Sequence, residues 1–296
     1  MKKQSKKKIL ILGSSSYLGK SLSNHLKNFQ VIQTHFTNEQ IDSIYFNIIE
    51  DSFDDLVRLV GKLDYVIILS GIHNYKLIIS NPSLAYKVNV DCIKKILLCI
   101  KRNKIIPIFT SSDNVFDGHK GNYIETDIPN PTFEYGIQKY EIENFIQNNF
   151  EYFQIYRISK IIDTNLSGNT LIANWVKQIS NNEQIICAYD NKFSPIEIND
   201  LCKFINLLIN LEVNGIYHLS SNEHISRKYM LESLINKLPP RYNIKKPIIY
   251  KKLNEFPGVE NQPVNISLNA EKVIKTTNLV PKNFNQILNL VKRKLL

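Results

Sequence analysis

The sequence predicts an α/β fold, a doubly wound parallel sheet with a smaller mixed C-terminal domain, and three observations predict it. Short β-branched runs alternate with longer helical patterns through the first half of the chain. The first apolar run, Ile9–Leu12, stops at Gly13 and gives way at once to a helical pattern, the signature of a buried strand, a tight turn and a covering helix. Beyond Ile158 the rhythm loosens, so residues 1–160 are expected to form the sheet domain and 161–296 mainly the second part. Segments near 184–200 and 215–221 are expected to return to the first.

Taken in order, Ile9–Leu12 is a strand and Tyr17–Leu26 a helix. Val31–Thr34 and Ile44–Phe46 are strands, Ser52–Val60 a helix and Tyr65–Leu69 a strand. Leu84–Lys101 reads as one helix, with Ile93, Ile96, Leu97 and Ile100 spaced to form a single apolar face. Ile105–Thr110 is a strand, Gly136–Gln147 a helix and Tyr152–Ile158 a strand. Later come helices at Leu171–Gln178, Asn199–Asn210, Lys228–Lys237 and Phe284–Leu295, and a strand at Gly215–Leu219. The Pro239–Pro240 pair and the lysines after it mark a surface loop.

Composition narrows the class. The chain has 296 residues, 43% of them hydrophobic, enough for a well-buried core. No apolar run approaches the roughly 20 residues of a membrane span. The lysine-rich start, Met1–Lys8, is followed by an apolar run too short for a secretory signal, so a soluble, cytoplasmic protein is expected. Cys92, Cys99, Cys187 and Cys202 lie in apolar, periodic segments without metal spacing, which fits a reducing compartment. The net charge is +10, but five lysines of the tail supply half of it, and the remainder is scattered. A nucleic-acid face is not expected. The six histidines share no spacing, so no metal site is expected either.

Two motifs carry chemistry. The turn Gly13-Ser14-Ser15-Ser16-Tyr17-Leu18-Gly19 joins the first strand to the first helix. Small residues there let the backbone approach a pyrophosphate, and the helix N-terminus supplies amide donors and the positive end of its dipole. Ser16 stands where the middle glycine of a Gly-x-x-Gly-x-x-Gly pattern is expected. After the second strand, Thr34-His35-Phe36-Thr37 lacks the carboxylate that usually bonds an NAD ribose. With His35 nearby, NADPH is permitted and slightly preferred over NADH.

The second motif is Ser112 at a strand end, then Tyr135-Gly136-Ile137-Gln138-Lys139 opening a helix. Tyrosine and lysine four apart share one helix face. The ammonium stabilises a phenolate, which suits Tyr135 as general acid or base, and the serine hydroxyl can bond a substrate oxygen as charge develops on it. Glu141 and Glu143, on the same amphipathic helix, read as a solvated face rather than an acid/base dyad.

The stretch Phe109-Thr110-Ser111-Ser112-Asp113-Asn114-Val115-Phe116-Asp117-Gly118, followed by Tyr123, Glu125, Asp127, Pro129, Pro131 and Tyr135-Gly136, resembles the dTDP-4-dehydrorhamnose reductases. Further matches are Val66–Gly71, Val88-Asn89-Val90, Ser194-Pro195, Gly215–Leu219 and Pro263–Leu268, so the resemblance runs from Lys8 to about Leu288. It implies a Rossmann domain and a catalytic triad of Ser112, Tyr135 and Lys139. It also implies that Asn47 and Ile48 border the adenine, that Leu69, Ser70 and Gly71 line the ribose-phosphate, and that Lys139 holds the nicotinamide ribose. With the turn residues Gly13, Ser15, Ser16, Tyr17, Leu18 and Gly19, and with His35 and Tyr135, these make up the expected cofactor site. Asn89 and Arg157 match recurrent positions, in roles that are either structural or functional.

Departures from the family pattern fall on the substrate side. Asn114 replaces a tyrosine, Lys160 falls where a tryptophan is common, and Asn261 and Gln262 stand where an arginine pair is expected. Asp113, Asn114 and Lys160 are the expected substrate contacts. The resemblance implies an NAD(P)H-dependent reductase of the extended short-chain dehydrogenase/reductase type, acting on a nucleotide-diphospho-4-keto-6-deoxysugar in cell-surface polysaccharide biosynthesis. Homodimers are common in that family. Two alternatives stay open: an epimerase or dehydratase of the same fold, and a non-catalytic regulatory subunit resembling that of methionine adenosyltransferase. Dehydratases carry an Asp-Glu pair after the serine or threonine, and Asn114 cannot serve as that base.

Overall fold

The computed structural model describes residues 6–168, 170–242, 244–258 and 261–296. Of the lysine-rich start, residues 1–5 lie outside the described residues. The chain opens as β1 (Lys8–Leu12), α1 (Tyr17–His25), β2 (Gln30–His35), β3 (Ser43–Tyr45), α2 (Phe53–Val60) and β4 (Tyr65–Ile68). It continues with α3 (Tyr75–Ser80), α4 (Pro82–Tyr86), a π-helical segment Lys87–Cys92, α5 (Ile93–Arg102), β5 (Ile106–Ser112), α6 (Glu134–Asn149) and β6 (Gln154–Ile158). Then follow β7 (Ile161–Ile162), α7 (Leu171–Ser180), β8 (Ile186–Ala188), β9 (Lys192–Phe193), β10 (Ile196–Glu197), α8 (Ile198–Asn210) and β11 (Gly215–Leu219). The chain ends with β12 (Ile225–Ser226), α9 (Arg227–Lys237), β13 (Ile249–Lys251), α10 (Glu271–Thr277) and α11 (Phe284–Leu295).

Among the described residues, seven strands form one sheet in the order β11-β6-β5-β4-β1-β2-β3. β1 pairs in parallel with both β2 and β4, β2 with β3, and β4 with β5. The chain thus builds outward from β1 on one side, then returns to β4 on the other. This reversal of strand order opens a crevice at the carboxyl ends of β1 and β4, where open α/β sheets bind ligands. Alternate residues of β1 face opposite sides of the sheet and all of Ile9–Leu12 are fully buried, so both faces are covered.

The chain divides into two compact units. The first comprises residues 1–112, 134–157 and 205–217. One face of its sheet packs Leu10, Leu12, Val66 and Ile68 against Phe53 and Leu56 of α2, Ile93, Ile96 and Ile100 of α5, and Ile142 and Ile146 of α6. The second unit comprises residues 113–133, 158–204 and 218–296. Its core joins Ile172, Trp175 and Ile179 of α7, Met230, Leu231 and Leu234 of α9, and Ile287, Leu288 and Val291 of α11. Asn283 starts α11 with a capping box, exchanging hydrogen bonds with Gln286.

Three expectations are corrected. Leu84–Lys101 is not one α-helix: α4 ends at Tyr86, and the π-helical segment precedes α5. The segment 184–200 does not return to the large sheet; β8, β9 and β10 pair instead with β13, β12 and β7. Glu143 is not on a solvated face, because its carboxylate is fully buried against Arg157 of β6.

Candidate active site

The turn after β1 is built by close backbone packing. Gly13 has φ +83°, a left-handed conformation that glycine adopts without penalty, and a side chain there would lie 2.9 Å from Ser70 Oγ. A Cβ on Gly19 would lie 2.5 Å from the Ser14 carbonyl oxygen and 2.6 Å from Ser14 Cα. Ser16, the expected departure from the glycine pattern, is the N-cap of α1: its hydroxyl accepts from the Gly19 N–H at 3.1 Å. Ser14 is tied down behind the turn, with its N–H donating to the Thr34 carbonyl at 3.0 Å. Ser15, Tyr17 and Leu18 complete the crossing, and Ser70 and Gly71 continue from Leu69 beyond the end of β4. A tight turn between a strand end and a helix N-terminus, packed closely enough to require glycine at positions 13 and 19, fits a dinucleotide pyrophosphate.

Where the adenine is expected, the side chains are already engaged. His35 Nδ1 lies 2.7 Å from Ser43 Oγ, and its ring meets Tyr45 edge-on. Since the Ser43 hydroxyl donates to the Gln40 carbonyl at 2.7 Å, His35 Nδ1–H is the donor to Ser43. Asn47 Oδ1 accepts from the Ile49 N–H and Asn47 Nδ2 donates to Glu50, so this side chain shapes its own turn. Ile48 packs against the core of the first unit.

Ser112 closes β5 and is buried, as are Tyr135 and Lys139 on α6. Lys139 Nζ donates to the Thr110 carbonyl at 2.9 Å, stands 4.7 Å from the centroid of the Phe109 ring and 5.7 Å from that of Tyr135. Burial pushes the Lys139 ammonium down to about 8, and the Glu143 carboxylate, one turn further along α6, works in the opposite direction. The lysine therefore sits against the phenol ring as an ammonium that titrates within the working range of an enzyme.

Two residues that the sequence reading did not nominate flank Tyr135. His73 Nδ1 lies 3.1 Å from the Tyr135 hydroxyl, and the Tyr75 ring centroid is 5.6 Å from that of Tyr135. Both belong to the segment following β4, at the carboxyl end of the sheet where loop residues carry function. Gly71, two residues before His73, was the available signal. Asn89 has a positioning role: its Oδ1 accepts from the Ile72 N–H at 2.7 Å, and its Nδ2 donates to the Ile72 carbonyl at 3.0 Å and to Gln138 at 2.8 Å.

The expected substrate contacts lie in the second unit. Asn114 Nδ2 donates to Asp113 Oδ1 at 2.9 Å, and both residues are buried. Lys160 is half-buried, with Nζ 6.0 Å from the Phe193 ring centroid. Burial lowers its pKa, the Arg227 guanidinium lowers it further, and Asp113 raises it.

The RmlD substrate binding domain model matches residues 7–295, almost the whole chain. The chain belongs to the RmlD substrate binding domain family. On that membership it is an oxidoreductase of the short-chain dehydrogenase/reductase type, as the sequence implied. Among relatives of this RmlD-family chain, a dTDP-4-dehydrorhamnose reductase from Aggregatibacter actinomycetemcomitans is 23% identical over 299 residues, covering 96% of this chain and 98% of the relative. Methionine adenosyltransferase 2 subunit beta from Xenopus tropicalis is 22% identical over 280 residues, covering 91% of this chain and 82% of the relative. The crystal structure of dTDP-4-dehydrorhamnose reductase from Bacillus anthracis in complex with NADP superposes with a TM-score of 0.82 at 21% identity, covering 96% and 98% of the two chains.

Proposed function

We propose that this RmlD-family oxidoreductase reduces the 4-keto group of a nucleotide-diphospho-6-deoxysugar, with NADPH slightly preferred to NADH. The observation that carries the reading is Lys139 held by the Thr110 carbonyl and set against the Tyr135 ring, in the unit that also holds Ser112 and the Gly13–Gly19 turn. The bound reduced nicotinamide supplies the hydride. Tyr135 donates its hydroxyl proton to the oxygen of the carbonyl under attack, becoming a phenolate. Lys139 stabilises that phenolate through its ammonium charge, and Ser112 donates a hydrogen bond to the same oxygen. Gly13, Ser15 and Ser16 in the turn, with Leu69, Ser70 and Gly71 after β4, hold the diphosphate and ribose. Asp113, Asn114 and Lys160 contact the sugar nucleotide, and Lys160 contributes positive charge toward an anionic substrate. The NADPH preference is supported by the absence of a carboxylate in Thr34–Thr37. In this reading the enzyme works in the cytoplasm, as a homodimer, on sugars destined for cell-surface polysaccharide.

A second reading, a regulatory subunit, is favoured by the similarity to methionine adenosyltransferase 2 subunit beta. Both are tested by adding dTDP-4-keto-6-deoxysugars to the chain with NADPH or NADH and following absorbance of the reduced nicotinamide. Substrate-dependent oxidation supports the reductase. Cofactor binding with no oxidation, together with capture of a methionine adenosyltransferase catalytic subunit, supports the regulatory reading instead.

A further inference from the structure

Tyr135 is not alone at its hydroxyl. His73 presents Nδ1 to the Tyr135 oxygen at 3.1 Å and Nε2 to the Leu69 carbonyl at 3.4 Å. A carbonyl can only accept, so the imidazole proton belongs on Nε2 and Nδ1 carries the lone pair. The Tyr135 O–H is therefore the donor in this pair. The two rings meet edge-on, with centroids 5.8 Å apart and planes at 80°.

The placement of His73 is enforced by its neighbour. Asn89 clamps both the N–H and the C=O of Ile72, and Gln138, next to Lys139 on α6, is tied to the same amide. The segment between β4 and α3 is thus fixed to the helix that carries Tyr135. His73 is an exposed residue, yet each ring nitrogen lies within hydrogen-bonding distance of a protein oxygen.

We propose that His73 is a positioning residue for Tyr135: its Nδ1 accepts the phenol proton in the free enzyme and sets the direction from which that proton is handed to substrate. This rests on the reading of Tyr135 as proton donor. No proton leaves the pair in the resting state. On reduction the O–H turns from Nδ1 to the substrate oxygen, and the imidazole stays neutral. Among the described residues, the charged and titratable groups facing the pair include Lys139 on α6 and Tyr75 at the start of α3, and the end of β4 presents the Leu69 carbonyl. Loss of solvent around the ring nitrogens and the nearby Lys139 ammonium both lower the His73 pKa, in the direction of the neutral acceptor that the two contacts require.

The direct test is nuclear magnetic resonance of the whole chain carrying 15N-histidine. His73 is expected as the neutral Nε2–H tautomer at pH 7, with an Nδ1 resonance that moves in Tyr135→Phe. A proton on Nδ1, or an Nδ1 signal indifferent to Tyr135→Phe, overturns the proposal. The kinetic test compares His73→Phe, which keeps a ring without the acceptor, with His73→Asn, whose amide oxygen stands where Nδ1 does. An accepted hydrogen bond stabilises the neutral phenol, so its loss lowers the phenol pKa. In His73→Phe the alkaline limb of kcat/KM, which the Tyr135–Lys139 pair sets jointly, is expected to move down by about 0.5–1 pH unit, the equivalent of one net hydrogen bond. His73→Asn is expected to restore it. Equal limbs in both variants and the wild type overturn the positioning role. If the wild type turns over no keto-sugar nucleotide, the reductase reading falls, and the resonance experiment alone decides the role of His73.

Discussion

Arg157 of β6 grips Glu143 of α6 with two nitrogens: Nη2 donates to Oε2 at 2.7 Å, and Nε donates to both carboxylate oxygens at 3.1 Å. The side chains are 2% and 0% exposed, so this ion pair is shielded from water and from salt. Removing one partner strands the other charge in the core, at a cost of about 3–5 kcal/mol, whereas replacing both leaves no orphan. Arg157→Met should therefore lower the unfolding free energy by that amount in urea, and Arg157→Met/Glu143→Met should recover much of it. A single variant as stable as wild type would remove the pair from the stability account.

Tyr135→Phe keeps the ring between His73 and Tyr75 and deletes only the hydroxyl. Turnover of a keto-sugar nucleotide is expected to fall at least ~100-fold, the scale of lost general acid catalysis. NADPH affinity, measured by nicotinamide fluorescence, should change little. Undiminished turnover would exclude Tyr135 as the proton donor.

Lys139 links activity and stability through one proton. Its folded pKa, about 8, lies below the ordinary 10.5, so folding favours the neutral amine. The ammonium penalty is complete below pH 8, on the order of 3 kcal/mol, and is relieved as the pH rises toward 10.5. In the proposed mechanism catalysis runs the other way, because the charge that would stabilise the phenolate is lost above about 8. Lys139→Met should be inactive yet more stable than wild type at pH 7, with the gap narrowing between pH 8 and 10.5 in parallel denaturation curves. A Lys139→Met chain less stable than wild type at pH 7 would show that the hydrogen bond to Thr110 outweighs the burial of charge.

Gly19 leaves no room for even a methyl group, since the three nearest atoms to a Cβ there are backbone atoms of Gly13 and Ser14. Gly19→Ala should cost about 1–3 kcal/mol from overpacking and push the turn away from the pyrophosphate position. Thermal melts with and without NADPH would read both effects. A normal melting temperature with a full NADPH-induced shift would mean that the turn gives way freely and does not hold the cofactor.

The parts of the molecule governed by local rules were legible in the sequence. The strand, glycine turn and helix from Lys8 to His25 follow from adjacent residues, as does the Tyr135–Lys139 face of α6. Interactions between distant residues were not legible. The apolar spacing of Ile93–Ile100 suits an α-helix and α5 is one, but nothing in that spacing announces the π-helical segment before it, where Asn89 reaches Ile72 and Gln138. Glu143 looked solvated because its partner, Arg157, sits 14 residues away on a strand. His73 carries no local signal, because its partner Tyr135 lies 62 residues further on. Ser16 was the instructive middle case: a departure from the glycine pattern that the N-cap of α1 explains.

The π-helical segment Lys87–Cys92 also has a consequence for how sequences of this kind can change. Wider winding lets a helix carry one more residue than α-geometry needs over the same length. Deleting a single residue between Lys87 and Cys92 would let α4 and α5 merge into one regular helix, with the flanking turns in phase and the wide turn that presents Asn89 removed. Asn89 would swing off Ile72, and the His73 segment would lose its anchor, with every other side chain unchanged. At this position a change in length alone, with no substitution, is enough to undo the surroundings of Tyr135.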